Sequence, residues 1–201
     1  MPSPRDALLV SILFYGGLRV GEALALSWDS VRLDEGYLVV EQSFVKGVLK
    51  GTKTGLIRRV ELCTPLRLDL EAAAPESPAA AGAFVCPSRQ GGGKPLDRHN
   101  WHAHVWKPAI ERAGVAASPG DGRHTFASLH LNAGEPLIAS NQLGHRMTTT
   151  TELYSHLMPR DRTGRVVPVD AAILAARAEV AGSYVRKVYA LSDYRRGGVA
   201  R

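Results

Sequence analysis

Residues 6–25 read DALLVSILFYGGLRVGEALA, and this stretch decides the fold. Its apolar residues recur at helical spacing up to residue 15, stop at Gly16-Gly17 and resume from Val20. Glycine interrupts a helix because it adds backbone freedom and brings no side chain to pack. The stretch therefore predicts two helices that meet at a glycine corner, with Arg19 and Glu22 just beyond it.

The next segment changes from helical to strand character. The sequence YLVV at residues 37–40 is rich in β-branched and aromatic residues and follows a turn signal, DEG at residues 34–36. The sequence GTKTG at residues 51–55 is a tight connection into a predicted strand at residues 56–62. We expect a small antiparallel sheet inserted between helices, with Lys53 at a hairpin tip.

Helical spacing returns after a glycine-rich connection at residues 89–95. One helix is predicted from residue 96 to residue 113, with Asp97 as its N-cap and with core positions at Trp101, Val105 and Ile110. Further helices are predicted at residues 123–133, 136–143, 149–155 and 170–190. The predicted fold class is α+β, mostly helical with one small antiparallel sheet.

Composition narrows the class of partner and the compartment. The chain has 201 residues, with 25 Lys+Arg against 19 Asp+Glu, so its formal net charge is 25 − 19 = +6, which favours a polyanionic partner. Its length and 45% hydrophobic content predict one well-buried core.

Two cysteines without CxxC spacing predict free thiols. The N-terminus lacks a basic region, and the apolar run at residues 7–15 is too short to span a bilayer, so we expect a cytoplasmic protein with no membrane partner.

Two arginines, Arg19 and Arg123, follow glycines at which the backbone can approach a ligand closely. A guanidinium offers a phosphate two parallel charge-assisted hydrogen bonds. Either arginine alone also fits a surface salt bridge, and Glu22 fits either an orienting role for Arg19 or a routine helix pair. Lys53, on its glycine-flanked turn, fits a proton donor to a leaving alkoxide or a solvated turn lysine.

His145 and Tyr154 follow these residues in the chain. A phenolic oxygen can attack phosphorus while cationic groups hold the developing charge, so the order of residues indicates a site that cleaves a nucleic acid backbone. A lone histidine is often structural, however. Composition alone does not choose among Tyr154 and the other tyrosines: Tyr15, Tyr37, Tyr184, Tyr189 and Tyr194.

Three histidines, His99, His102 and His104, lie close together in the sequence. On a helix His102 and His104 point away from each other, and no neighbouring cysteine or carboxylate completes a tetrahedral set. Arginines hold a phosphate without a metal. We therefore predict no metal and no other cofactor.

Four segments taken in order resemble the catalytic domain of the tyrosine recombinase, or phage integrase, family. They are GLRVGEALALSW at residues 17–28, TKTG at 52–55, RHTFAS at 123–128, and LGH at 143–145 leading through TT at 150–151 to Tyr154. The resemblance runs from about residue 5 to about residue 160. It implies a catalytic domain at residues 1–165 and a helical tail at residues 166–201.

The resemblance also implies the roles of the site residues. Tyr154 would attack the scissile phosphate, forming a 3′-phosphotyrosine and freeing a 5′-hydroxyl. Arg19 and Arg123 would bind the non-bridging oxygens, with His145 contacting the phosphate and assisting transfer. Lys53 would be the general acid. Because the covalent link conserves the phosphoester, a second 5′-hydroxyl can reverse the step and join a new strand without ATP or metal.

The same resemblance makes Glu22 a supporting acidic residue and implies how the protein assembles. The implied partners are double-stranded DNA, a homotetramer on that DNA, and accessory proteins that bend it. In the family the tail often packs against a neighbouring protomer, although an Ala-rich tail also suits packing on its own domain. Relatives usually carry a separate core-binding domain before the first arginine helix, so we expect either the catalytic half of a longer protein or a minimal form.

Two glycines depart from the family pattern. Gly120 stands where relatives usually carry a histidine, and Gly122 replaces the usual leucine before Arg123. Without a side chain at residue 120 the attacking phenol lacks its usual base, and loss of one base typically costs about 10²- to 10⁴-fold in rate. The neighbouring Asp121 is a partial substitute for that base, although its side chain would project in a different direction.

Three functions therefore compete. The first is a site-specific recombinase or integrase that cleaves and rejoins DNA. The second is a catalytically weakened DNA-binding relative, suggested by Gly120. The third is a nicking and relaxing enzyme similar to type IB topoisomerases. The sequence does not reveal the target site, or whether the product is integration, excision or dimer resolution.

Overall fold

The computed structural model describes residues 3–52, 55–77, 79–89, 93–133, 135, 141–144 and 169–181. Its first two helices confirm the predicted corner, since α1 spans Pro4–Tyr15 and α2 spans Val20–Ala25. Between them Gly17 has a φ of +63°, and a Cβ atom there would lie 2.7 Å from the ring of Phe126. Only glycine fits this conformation at so close an approach, so the corner fixes where α2 begins.

A short 3₁₀ turn at Trp28–Ser30 follows, and the part of the chain that the structure describes contains five strands: β1 Val31–Arg32, β2 Tyr37–Val40, β3 Gln42–Val45, β4 Val48–Gly51 and β5 Arg58–Glu61. The strands β1, β2 and β5 form one antiparallel sheet in the order β1-β2-β5, and β3 pairs with β4 in a separate hairpin. The mostly helical α+β class is confirmed.

Two details of the predicted sheet are wrong. The hairpin turns at Lys46-Gly47, where φ is 50° and 80°, and not at Lys53. Lys53 itself lies outside the described residues, but β4 and β5, the strands before and after it in the chain, belong to different sheets and do not form a hairpin with each other. The last strand also begins at Arg58 and not at residue 56. Both errors arise because strand pairing depends on distant segments, which a local turn signal does not reveal.

The helices described between β5 and residue 133 are α3 Thr64–Ala73, α4 Arg98–Trp101, α5 Lys107–Ala113 and α6 Asp121–Asn132, and a π-helical segment at His102–Trp106 joins α4 to α5. The predicted cap of α4 is confirmed, since Asp97 Oδ1 accepts a hydrogen bond from the amide of Asn100 at 2.7 Å. The helix α5 ends, as predicted, at Gly114, whose φ is +68°.

The core surrounds α1. Fully buried side chains from both helices and strands contribute to it, among them Leu9, Ile12, Leu13, Leu24, Leu38, Val60, Leu66, Leu70 and Trp101. The predicted core positions Val105 and Ile110 are half-buried and pack against this cluster. The helix α6 lies against α1 at Gly122, where a Cβ atom would meet the carbonyl oxygen of Leu13 at 2.7 Å. The glycine therefore permits a close approach that leucine would block.

Residues 169–181 are helical, in agreement with the first part of the tail helix predicted at residues 170–190. Asp170 accepts hydrogen bonds from the amide and hydroxyl of Thr64 at 3.1 and 2.6 Å. Arg177 forms an ion pair with Asp69 at 2.6 Å and lies over the ring of Tyr15. This part of the tail is thus tied to α1 and α3, while the division at residue 165 and the exchange between protomers stay predictions.

Residues 141–143, the end of the predicted helix at 136–143, are helical, and the predicted helix at 149–155 lies outside the described residues. Cys63 and Cys86 are free thiols, as predicted. Among the helices that the structure describes, none is long and apolar enough to cross a membrane.

Candidate active site

An open groove of about 1070 Å³ lies where the N-terminal ends of α2 and α6 face α4 and the β3–β4 hairpin. Its walls carry five cationic side chains and two histidines: Arg19, Lys46, Lys50, Arg98, Arg123, His99 and His102. Asp97 contributes a carboxylate. A groove with this balance of charge attracts a polyanion.

Arg19 is the N-cap residue of α2 and keeps 34% of its side chain exposed in the groove. Its Nη1 atom donates to Glu22 Oε1 at 2.9 Å, and its backbone amide donates to Glu22 Oε2 at 2.9 Å. The first turn of α2 thus holds the guanidinium at the groove, and the orienting role considered for Glu22 has a geometric basis.

Glu22 is buried, and a second arginine, Arg58, also binds it. Arg58 Nη1 and Nη2 donate to Oε1 and Oε2 of Glu22 at 3.1 and 2.6 Å. Burial alone would raise the pKa of the Glu22 carboxyl, but the hydrogen bonds and charge of Arg58, together with the bonds from Arg19, hold that pKa below its ordinary value. Glu22 is therefore an ionised carboxylate shared by two arginines.

Arg123 reaches the same groove from the first turn of α6. Its Nη1 atom donates to the carbonyl oxygen of Gly17 at 3.0 Å, and its Nη2 atom donates to the carbonyl oxygen of Leu143. The structure thus brings Arg123 to the groove that holds Arg19, although the two arginines are far apart in sequence.

Gly120 also lines the groove, immediately before α6. The nearest atom to a Cβ built there is Ser118 Oγ at 3.5 Å, so a side chain has room. Asp121, the neighbour considered as a substitute base, is engaged elsewhere, because its Oδ2 atom accepts a hydrogen bond from the amide of Ser118 at 2.8 Å. That bond, with the further contacts of the Ser118 side chain and the charge of His124, lowers the pKa of Asp121 and weakens it as a base.

The three clustered histidines divide between two surfaces. His99 and His102 line the cationic groove, and His104 lines a different cavity of about 620 Å³ beside Asp6 and Arg89. This arrangement separates His104 from the other two, so the three imidazoles do not face one cation.

Lys53, His145 and Tyr154 lie outside the described residues. Two described residues that lie near them in sequence are part of the groove or adjoin its arginines. Gly51 lines the groove at the end of β4. Gly144, with a φ of +64°, follows the carbonyl that Arg123 binds.

Similarity to known proteins decides the family. The sequence model of the phage integrase family matches residues 2–160. The chain belongs to the phage integrase family. It is 33% identical over 153 residues to the tyrosine recombinase XerA of Thermococcus kodakarensis, a match that covers 75% of this chain and 50% of that protein. It is 31% identical over 157 residues to the tyrosine recombinase XerD of Corynebacterium glutamicum, covering 76% of this chain and 48% of that protein.

Solved structures of the family show the same fold. The Tn1549 transposon integrase in complex with a circular intermediate DNA aligns with a TM-score of 0.59 at 18% identity, over 86% of this chain and 57% of that one. The XerA recombinase aligns with a TM-score of 0.58 at 23% identity, over 79% of this chain and 58% of that one. The chain spans about half the length of the curated family members that it matches.

Arg58 supports the site and was not predicted from the sequence, and neither were the groove cations Lys46, Lys50 and Arg98. Arg58 stands within the strand predicted at residues 56–62, where nothing in the local pattern singles it out. Its partner Glu22 lies 36 residues earlier, so no local spacing signals the pair. The roles of the residues predicted for catalysis remain predictions.

Proposed function

We propose that this chain is the catalytic domain of a site-specific DNA recombinase, which cleaves and rejoins double-stranded DNA through a 3′-phosphotyrosine. The observation that carries the proposal is the convergence of Arg19 and Arg123 on one cationic groove. Two guanidiniums at one site suit the non-bridging oxygens of a single phosphate, whose charge grows in the transition state. Membership of the phage integrase family supports the same reaction.

In the proposed reaction the phenolic oxygen of Tyr154 attacks the scissile phosphorus. The bond from phosphorus to the 5′-oxygen breaks as the bond to tyrosine forms, and the leaving oxygen takes a proton from Lys53. The proton of the phenol passes to solvent, because Gly120 offers no side chain to accept it. His145 contacts the phosphate and assists transfer. Attack by another 5′-hydroxyl reverses these bonds and joins a new strand.

The rest of the groove supports a DNA substrate. Lys46 and Lys50 on the hairpin and Arg98 on α4 add three further cations to the groove, more than a single phosphate would require. Such contacts position a nucleic acid backbone without reading its sequence. We propose that they hold the strands on either side of the scissile phosphate.

Assembly and compartment follow from the same proposal. We propose that the protein acts as a homotetramer on DNA, assisted by proteins that bend it, and that it works in the cytoplasm with its DNA substrate. The relatives carry the names of tyrosine recombinases, which does not favour the weakened DNA-binding relative or the topoisomerase-like enzyme.

A covalent-adduct assay tests the proposal. The purified chain is incubated with nicked DNA carrying candidate recombination sites and with supercoiled plasmid, beside Tyr154→Phe and the control Tyr37→Phe. Tyr37 is a suitable control because its hydroxyl group donates to the carboxylate of Glu35 at an exposed position outside the groove. We expect a nuclease-sensitive adduct from the wild type and Tyr37→Phe, and none from Tyr154→Phe. An adduct that survives in Tyr154→Phe, or wild-type DNA binding with no adduct on any substrate, would overturn the proposal.

A further inference from the structure

Arg58 is a buried cation whose contacts join three separate segments of the chain. Its side chain is 7% exposed, and it begins β5. Nη1 and Nη2 bind the carboxylate of Glu22, while Nε donates to the carbonyl oxygen of Gln142 at 2.7 Å. A Cβ atom at Gly144 would lie 3.1 Å from Arg58 Cδ, so the turn at residues 141–144 lies directly against this side chain.

The two segments that Arg58 binds are the ones that hold the groove arginines. Glu22 binds Arg19 through both its side chain and its amide. The turn at residues 141–144 supplies the Leu143 carbonyl that Arg123 binds, and it immediately precedes His145. A displacement of Arg58 would therefore disturb the supports of both arginines together.

The charge of Arg58 also affects how strongly Arg19 attracts a phosphate. Without Arg58, the ion pair of Arg19 and Glu22 would carry no net charge, so the carboxylate would weaken the positive field at the groove. With Arg58 included, the three groups carry a net charge of +1. Since Arg58 is buried, the exposed Arg19 is the member that presents this charge to a ligand.

We propose that Arg58 is a positioning residue of the cleavage site: by binding Glu22 and the turn at residues 141–144, it sets the orientation of Arg19 and Arg123 and preserves the positive field of Arg19. The inference rests on the proposed function and deepens it. Arg58 touches no substrate, so its effect on the reaction passes through the two groove arginines.

A purely structural ion pair would behave differently. Its loss would lower stability and reduce activity only in proportion to the folded fraction. A positioning role instead predicts that Arg58 and Arg19 are coupled, so that removing Arg58 has little further effect once Arg19 is gone. It also predicts a new pH dependence, because Glu22 would lose the cation that keeps it ionised.

The experiment compares Arg58→Met, Arg58→Lys, Arg19→Ala and the double variant with the wild type, in the full chain. The measurements are the single-turnover cleavage rate on nicked DNA, the dissociation constant for the same DNA and the midpoint of thermal unfolding. Arg67→Met is the matched control, since Arg67 forms an exposed pair with Glu71 on α3. Arg58→Lys retains the charge and keeps the proposal testable if Arg58→Met does not fold.

We expect folded Arg58→Met to cleave about 10²-fold more slowly than the wild type, and Arg58→Lys to recover part of that loss. In Arg58→Met the loss of DNA affinity should shrink as the pH falls from about 8 to about 6, because burial then raises the pKa of Glu22, and its protonation returns the pair of Arg19 and Glu22 to a net charge of +1. The charged groups that face Glu22 are Arg19 and Arg58, and Glu41 lines the small cavity beside it. Glu41 would add to this rise.

The coupling between Arg58 and Arg19 is measured in DNA affinity as well as in cleavage rate. Because DNA affinity can be measured even if no strand is cleaved, the positioning role can be tested separately from the recombinase proposal. If the wild type forms no adduct but the two substitutions are non-additive in affinity, the recombinase proposal fails and the positioning role stands. Additive effects in affinity, or a folded Arg58→Met that cleaves within about threefold of the wild type, would overturn the positioning role.

Discussion

Arg123 donates a hydrogen bond from Nη1 to the carbonyl oxygen of Gly17 at 3.0 Å, although 106 residues separate the two in sequence. The corner that starts α2, and so places Arg19, thus also anchors the arginine of α6. One glycine with a positive φ serves both groove arginines, because its backbone can approach Phe126 and Arg123 without a side chain intervening.

Arg123→Lys should reduce the single-turnover cleavage rate by about 10²-fold, because a lysine cannot bind the two carbonyls and still face a phosphate with a planar fork. The protein should remain folded, since the charge is kept. Arg112→Lys is the control, as Arg112 bonds to the backbone of its own helix outside the groove. Equal cleavage rates for wild type and Arg123→Lys would contradict the predicted role.

Gly120→His should raise the cleavage rate by about 10²- to 10⁴-fold, because it restores a base in a position that has room for a side chain. Gly120→Ala supplies a side chain without a base and should leave the rate unchanged. The comparison is made on nicked DNA at one pH. If alanine and histidine give the same rate, the missing base is not what limits the reaction.

Gly122→Ala should lower the free energy of unfolding by about 1–3 kcal/mol, because its Cβ atom would meet the carbonyl oxygen of Leu13 at 2.7 Å and push α6 away from α1. Gly120→Ala, two residues earlier, is the matched control and should change stability by less than about 0.5 kcal/mol. Denaturant unfolding of the two variants measures the difference. Similar free energies of unfolding for the two variants would mean that α6 moves away from α1 without loss of stability.

Lys50→Gln should weaken DNA binding and reduce the slope of log affinity against log salt by about 1, because one phosphate contact is removed. Lys50 lines the groove on the hairpin. Lys107→Gln removes the same charge from α5, away from the groove, and should leave the slope unchanged. A salt titration of the dissociation constant distinguishes them, and equal slopes for the two variants would argue against groove binding.

Protonation of Asp6 should lower the free energy of unfolding at acidic pH. Burial alone would raise the pKa of its carboxyl, but hydrogen bonds from Ser3 and Arg5 and the charge of Arg5 lower it overall. A pKa lower in the folded than in the unfolded state gives stability that is present above the unfolded value and lost as pH falls through the folded one. Between about pH 5 and about pH 2, Asp6→Asn should lose less free energy of unfolding than the wild type. The measurement is the free energy of unfolding against pH for both proteins, and parallel curves would contradict the prediction.

Local features of the fold were predictable, and long-range ones were not. The glycine corner and the Asp97 cap follow from backbone chemistry within a few residues, and both are confirmed. Lys46 precedes a glycine, and Lys53 lies between two glycines that are each two residues away; only the pairing of β3 with β4 shows that a hairpin turns at Lys46. Arg58 was missed because Glu22, its partner, lies in another element.

With residue 120 at the predicted position of the base, the space around Gly120 makes the chain equivalent to an enzyme whose catalytic histidine has been truncated. A cavity of that origin at a reactive centre admits a small diffusible base in place of the lost side chain. We therefore expect free imidazole to accelerate strand cleavage in the wild type and to have little effect on Gly120→His. Chemical complementation of this kind would place DNA breakage under the control of a small molecule added from outside.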